Sequence, residues 1–153
     1  MRIYQAGPLF SEADRKWHQN LKAMLAAAGH EPIWPGDLVS QEDVARWGKD
    51  AVRQIMETDR AALDSCDLVL ALLDGAQVDD GTAWEIGYAF ARNIPIIGIR
   101  TDFRQAGETA GSRVNAMIEA SCVKIVRSAA AATGALEYVK TQHANLAAYK
   151  LTS

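Results

Sequence analysis

Leu68-Val-Leu-Ala-Leu-Leu73 runs into a short polar loop and then into Asp79-Asp-Gly-Thr-Ala-Trp-Glu-Ile-Gly-Tyr-Ala89. The first stretch is brief and wholly apolar, the pattern of a strand buried on both faces. The second opens a helix predicted over residues 82–92. Strand, acidic loop and helix together form the repeating unit of an open α/β sheet. In such sheets ligands bind outside the carboxyl ends of the strands. Asp79 and Asp80 fall in that loop, and the spacing places Glu85 in the first helical turn. Three carboxylates at this position point to chemistry or to recognition of a polyol.

Working outward, the same alternation recurs. Residues 3–6 begin a first strand, and Ser11-Glu-Ala-Asp14 has capping-box form ahead of a helix running to Ala28 and closed by Gly29. Residues 31–34 make a short second strand, residues 35–41 a loop, and Ser40 caps a short helical piece. A longer helix follows over 51–65. Beyond the central unit come a strand at 95–99, a polar loop at 101–111, a helix near 113–120, a strand at 123–126 and a final helix over about 131–149. This βα alternation predicts one α/β domain spanning residues 1–153, a five-stranded parallel sheet with helices on both faces. The expected strand order is flavodoxin-like, 2-1-3-4-5, doubly wound, with its switch point between strands one and three. The loops there are Gly7 to Ser11 and Asp74 to Gly81.

Composition sets bounds on function. Net charge is −3 with no basic block, which argues against an extended nucleic-acid surface. No apolar run approaches the ~20 residues of a membrane span. The start, Met-Arg-Ile-Tyr-Gln-Ala, reads as a strand and not as a signal peptide, so a cytoplasmic protein is expected. Cys66 and Cys122 are isolated in apolar contexts and fit reduced, buried thiols. His18, His30 and His143 are scattered, so no metal is expected. The first loop, Ala6-Gly7-Pro8-Leu9-Phe10, is apolar, contains proline and matches no phosphate-binding glycine pattern, so no nucleotide cofactor is expected either. There is no Gly-x-Ser-x-Gly elbow, and neither cysteine sits beside a plausible base.

Two carboxylates admit competing readings. In the helix over 51–65 an apolar stripe runs Val52, Ile55, Met56, Ala62, Leu63, and Asp59 falls in its middle. A carboxylate on a buried face is unfavourable unless paired or functional; alternatively the C-terminal part of this face rises out of the core and leaves Asp59 wet. Thr82-Ala-Trp-Glu85 matches a capping box, in which Glu85 bonds back to the backbone. Equally, the helix dipole would keep a first-turn carboxylate ionised, as a nucleophile toward an anomeric carbon requires. One of Asp79 and Asp80 could N-cap the same helix.

Four pieces in order resemble the nucleoside 2-deoxyribosyltransferase family. They are Ile3-Tyr-Gln-Ala-Gly-Pro-Leu-Phe10, Asp59, Asp79-Asp-Gly-Thr-Ala-Trp-Glu-Ile-Gly-Tyr-Ala89 and Val114-Asn-Ala-Met-Ile118. The resemblance covers nearly the whole chain and implies the same flavodoxin-like sheet. It implies a retaining double displacement in which Glu85 attacks C1′ of a 2′-deoxynucleoside and a second base captures the deoxyribosyl ester. Tyr4 would hold the Glu85 carboxylate, although by pattern alone it is a core aromatic of the first strand. Asp59, kept protonated by burial, would donate to the leaving base. Asp79 and Asn115 would bind sugar hydroxyls and Met117 would pack nearby, the last two reaching a neighbouring subunit's site. A homo-oligomer built from dimers is thus implied.

Gly7 and Phe10 are further candidate substrate neighbours. Trp34 and Asp37 are candidates for stacking and a polar contact to the base, with Trp34 alternatively a core residue. In some family members the C-terminus, here Tyr149 to Ser153, reaches an adjacent site. The implied partners are 2′-deoxynucleosides and free nucleobases, with no nucleic acid or membrane. A related activity, hydrolysis of deoxynucleoside 5′-monophosphates, needs a phosphate cradle and an arginine after the first strand. Gly7-Pro8-Leu9-Phe10 offers neither hydroxyl nor cation and so favours an unphosphorylated nucleoside. A non-catalytic nucleoside- or nucleotide-sensing module is the third reading.

Overall fold

The structure, a computed structural model, describes residues 1–152, and the side chains of 1–139, 141 and 142. The expected reach of Tyr149 to Ser153 falls outside those side chains. Strands β1 (Arg2–Ala6), β2 (Glu31–Ile33), β3 (Leu68–Leu72), β4 (Ile96–Ile99) and β5 (Lys124–Val126) form one sheet in the order β2-β1-β3-β4-β5. Every pairing is parallel. This is the flavodoxin-like arrangement expected from the alternation of elements.

The helices are α1 (Glu12–Ala27), α2 (Gln41–Trp47), α3 (Ala51–Asp64), α4 (Asp80–Ala91), α5 (Ala116–Ser121) and α6 (Ala129–Thr152). Successive strand residues point to opposite faces, so the sheet splits the core in two. Leu68 and Leu70 pack with Ile3, Leu21 and Leu25 on the α1/α6 face. Val69 and Ala71 pack with Tyr4, Leu63, Ile86 and Ala89 on the α3/α4 face. Every residue of β3 is buried, which is why the segment reads as an unbroken apolar run. Each fully buried Leu or Ile contributes about 1.5–3 kcal/mol by leaving water.

The helix starts follow local chemistry. Ser11 and Asp14 form a reciprocal capping box, and Ser40 and Asp43 form another. Helix α4 begins two residues earlier than the spacing suggests, because Asp79 is its N-cap, with Oδ2 accepting from the Thr82 amide at 3.0 Å. Helix α5 begins only at Ala116, where Asn115 caps it through the Met117 amide at 3.0 Å. The stripe on α3 also differs from expectation. Its C-terminal half is the packed half, with Leu63 fully buried, while Val52 is 81% and Met56 42% exposed. Asp59 therefore lies where the helix enters the core and not where it leaves it.

Candidate functional site

The alternation of β1 sends Tyr4 to the α3/α4 face, in register with Ile33 on β2 and Val69 on β3. The ring is fully buried. Its hydroxyl donates to Oε1 of Glu85 at 2.6 Å, joining residues 81 positions apart. Burial, with the Glu85 carboxyl beside it, pushes the Tyr4 phenol well above its ordinary range, so it remains a donor. Glu85 is the sixth residue of α4, one turn later than expected. It makes no capping box; Asp79 caps the helix instead. Nor does the helix dipole hold it ionised, since that effect fades beyond the first turn. Burial pushes the Glu85 carboxyl up to about 8, the Tyr4 hydrogen bond pulls it down, and the charges of Asp59 and Asp79 push it up further.

Asp59 completes the cluster from α3. Burial raises its carboxyl to about 6, and its Oδ1 is buried with no hydrogen-bond partner among the described residues. The wet alternative for Asp59 is thus not what the structure holds. Because its charge is felt at Glu85, the two acids titrate as a pair. Both carboxyls stand above their ordinary range, Glu85 the further of the two. Asp79 approaches from the start of α4, with Oδ2 bonded to both the amide and the hydroxyl of Thr82 at 3.0 Å. Tyr4, Glu85 and Asp59, with Asp79 within electrostatic reach, thus gather on the α3/α4 face of the sheet.

The other sequence candidates lie further out. Asn115 donates from Nδ2 to Glu108 at 2.6 Å and caps α5 with its oxygen, and Met117 is 79% exposed. Neither hydrogen-bonds to Tyr4, Glu85, Asp59 or Asp79. Asn115 instead lines a cavity of about 550 Å³ with Asp80, Ala83, Arg100 and Glu108. Ala83 and Glu85 are two positions apart on α4, so that cavity and the acid cluster lie on different flanks of the helix. Trp34 follows Ile33 and points to the opposite face, where it is buried and stacks on His18 at 5.9 Å between ring centroids. It is a core residue and not a free stacking platform. Asp37 pairs with Lys22 at 2.6 Å on the surface. Phe10 is 77% exposed in the loop after β1. Among the described residues, no three His, Cys, Asp or Glu side chains are grouped to hold a metal ion, and no helix is long and apolar enough to cross a membrane.

Residues 3–117, which hold every member of this cluster, match the family model described as nucleoside 2-deoxyribosyltransferase. The chain belongs to the nucleoside 2-deoxyribosyltransferase family. It is 34% identical over 113 residues to the uncharacterized protein C191.05c of Schizosaccharomyces pombe. That match takes in 69% of this chain and 53% of the other, so the chain spans about half the length of this curated relative. A conserved protein from Enterococcus faecalis V583 superposes with a TM-score of 0.71 at 26% identity, covering 93% of this chain and 98% of that one. A 2-deoxyribosyltransferase from Bacillus psychrosaccharolyticus gives 0.71 at 21% identity, covering 87% and 90%. A CMP N-glycosidase from Clostridium botulinum gives 0.56 at 20% identity, covering 90% and 99%. The last two likenesses establish the fold.

Two residues to which the sequence assigned no site role lie against the loop after β1 in this deoxyribosyltransferase-family fold. Arg15 reaches back from α1 and donates from Nη1 to the carbonyls of Leu9 at 3.3 Å and Phe10 at 2.8 Å. The loop after β1, which has no cation of its own, therefore has one beside it. His18 is fully buried and lies beneath the same loop. Its position was legible: His18, Leu21 and Leu25 share the helical spacing of a core-facing stripe.

Proposed function

We propose that the protein transfers the 2-deoxyribosyl group between nucleobases through a covalent ester on Glu85. The observation that carries this reading is the 2.6 Å bond from the Tyr4 hydroxyl to the Glu85 carboxyl, with Asp59 near enough to perturb it. In the first step an ionised Glu85 oxygen forms a bond to C1′ of a 2′-deoxynucleoside. The C1′–N bond breaks, its electron pair leaves with the base, and Asp59 supplies the proton to that base. In the second step the nitrogen of an incoming base attacks C1′ from the face opposite Glu85 while Asp59 takes back that base's N–H proton; the C1′–O bond breaks, the Glu85 carboxylate is released and the configuration is retained overall. Tyr4 keeps the carboxylate aimed and disperses its charge.

The proton must first move. Burial raises the Glu85 carboxyl further than that of Asp59, whereas attack requires Glu85 ionised and Asp59 protonated. Sugar hydroxyls donating to Asp79 would weaken one of the charges that raise Glu85, and so favour this exchange. Substrate binding would thereby prime the nucleophile.

The test is product analysis. Incubation with deoxyinosine and adenine, then with thymidine and adenine, should give deoxyadenosine from at least one donor. Base release at the same rate with and without acceptor, and no new nucleoside, would support hydrolysis instead. That second reading has one observation in its favour: Arg15 supplies a cation at the loop after β1. A strong preference for deoxynucleoside 5′-monophosphates would establish it, and binding without turnover would leave the sensing module.

The active form on this reading is a cytoplasmic homo-oligomer of symmetric dimers serving nucleoside salvage, with Asn115 completing a neighbour's site. Asn115 stands apart from its own acid cluster, and exposed apolar side chains on α3 and α4, among them Val52, Trp84 and Phe90, offer contact area. Mixing inactive Glu85→Ala with inactive Asn115→Ala under subunit exchange should restore activity. No recovery despite proven exchange excludes a role across subunits.

A further inference from the structure

His18 is completely buried in α1, yet it belongs to neither the acid cluster nor the surface. Its Nδ1 lies 3.4 Å from Oε1 of Gln5, the residue after Tyr4 on β1, which is itself fully buried. One face of the ring stacks on Trp34, and Trp17 meets it edge-on at 5.0 Å between centroids. The Nε2 edge has no hydrogen-bond partner among the described residues and presses on Gly7. A methyl group at position 7 would stand 2.4 Å from His18 Nε2 and 2.7 Å from Cε1, closer than any real carbon contact. Glycine at position 7 is thus required by the imidazole beneath it.

The same helix grips the loop a second time. Arg15 lies three positions before His18 and so on the same side of α1. Its guanidinium takes the carbonyls of Leu9 and Phe10. The loop that leaves β1 three residues after Tyr4 is therefore supported at Gly7 and held at Leu9 and Phe10 from one rigid helix. Stacking on Trp34, the edge-on contact with Trp17 and the contact to Gln5 fix the imidazole, so its outer edge works as a stop.

We propose that His18 is a positioning residue for the substrate-binding loop: its Nε2 edge, acting through Gly7, sets the height of the loop carrying Phe10 relative to the Tyr4–Glu85 pair. This rests on the transferase or hydrolase reading only for its kinetic consequence; the mechanical claim stands on its own. His18 touches no substrate and acts wholly through the backbone above it.

Two substitutions separate its two nitrogens. Asparagine reproduces the position of Nδ1 and keeps the contact to Gln5 while deleting the edge under Gly7. Glutamine reaches the position of Nε2 and keeps the obstruction. The test measures KM and kcat for the donor deoxynucleoside, together with hydrogen exchange of the amides of residues 9–11. Gly7→Ala should raise KM about tenfold with kcat changed by less than about threefold, the size of effect expected for residues in direct contact. Adding His18→Asn should return KM to within about threefold of wild type, and adding His18→Gln should not.

His18→Asn alone, which requires no extra atom to be accommodated, should speed exchange at residues 9–11 and leave β3 unchanged. Equal behaviour of the Asn and Gln double variants, or simple addition of the single effects, would overturn the proposal. So would a fall in melting temperature with no change in KM or in loop exchange. If the wild-type protein turns over no nucleoside at all, the functional reading fails while the exchange pattern still decides the role of His18.

Discussion

Tyr4 and Gln5 are neighbours on one strand, both fully buried, and they serve opposite sides of the sheet. On the α3/α4 side, Tyr4 meets Glu85 through a short hydrogen bond, and three acids crowd within electrostatic reach. On the α1 side, Gln5 meets His18, whose imidazole burial pushes down to about 4, so that it stays neutral. Burial raises the acids of one cluster toward their neutral forms and keeps the imidazole of the other from taking up a second proton. The difference shows how a two-residue period lets one strand carry a reactive surface and its mechanical support side by side, without either perturbing the other's protonation.

The largest way to sharpen this contrast is to empty the reactive side. Glu85→Ala should reduce transfer by about four orders of magnitude or more, as loss of a covalent nucleophile does. The fold should persist, because Glu85 makes no cap. A folded variant with near-normal turnover would end the covalent mechanism. Trapping with a 2-fluoro-arabinosyl nucleoside should place the adduct on Glu85 in the wild-type protein, as intact mass and peptide mapping can establish.

Asp59→Asn comes next. Release of purines, which depart protonated, should slow by about 10²–10⁴-fold, the usual contribution of a general acid. Release of an activated base that departs as an anion should slow much less. Equal losses for both would reduce Asp59 to a shaping role. Tyr4→Phe should have a smaller effect, about 10- to 100-fold in kcat. It also removes the one interaction that lowers the Glu85 carboxyl, so the acidic limb of the pH–rate profile should move upward. An unmoved limb would show that Tyr4 does not tune the nucleophile.

The smallest effect concerns stability, and here the two sides of β1 have opposite signs. Glu85 binds its proton more tightly when folded, so its contribution is full below the ordinary 4.5 and is lost as pH rises through about 8. His18 binds its proton less tightly when folded, so its contribution is full above 6.5 and is lost as pH falls toward about 4. Melting temperatures should therefore decline on both flanks. Glu85→Gln should flatten the alkaline flank and His18→Asn the acid flank, by a few degrees each, at about 2–4 °C per kcal/mol for a domain of this size. Flattening of the wrong flank by either variant would break the comparison.

The sheet order was legible because β3 and β4 are apolar throughout and strands alternate with helices along the chain. What the sequence obscured was which of several competent groups prevails locally. Asp79 and Thr82 can each cap α4; the carboxylate prevails, the helix starts earlier, and Glu85 turns inward from its second turn. Trp34 lay one residue past a three-residue strand, too short a run to reveal its face. Asp59 was recognisable as anomalous on its stripe, but its Oδ1 without a partner and its effect on Glu85 are tertiary facts. His18 went unread because a histidine among leucines carries little signal until the glycine above it is seen.

Arg100, fully buried at the end of β4, donates to the carbonyls of Leu73, Gly75 and Arg104. All three acceptors are main-chain atoms, which substitution cannot remove. The loops after β3 and β4 are further tied to each other by the Asp74 carboxylate, which accepts from the amides of Thr101 and Asp102. Of the residues that line the cavity between those loops, Glu108 is tied to Asn115 and to the Ala116 amide, so its loss would loosen the start of α5. Arg100 thus braces those loops from inside the core through atoms that every residue carries.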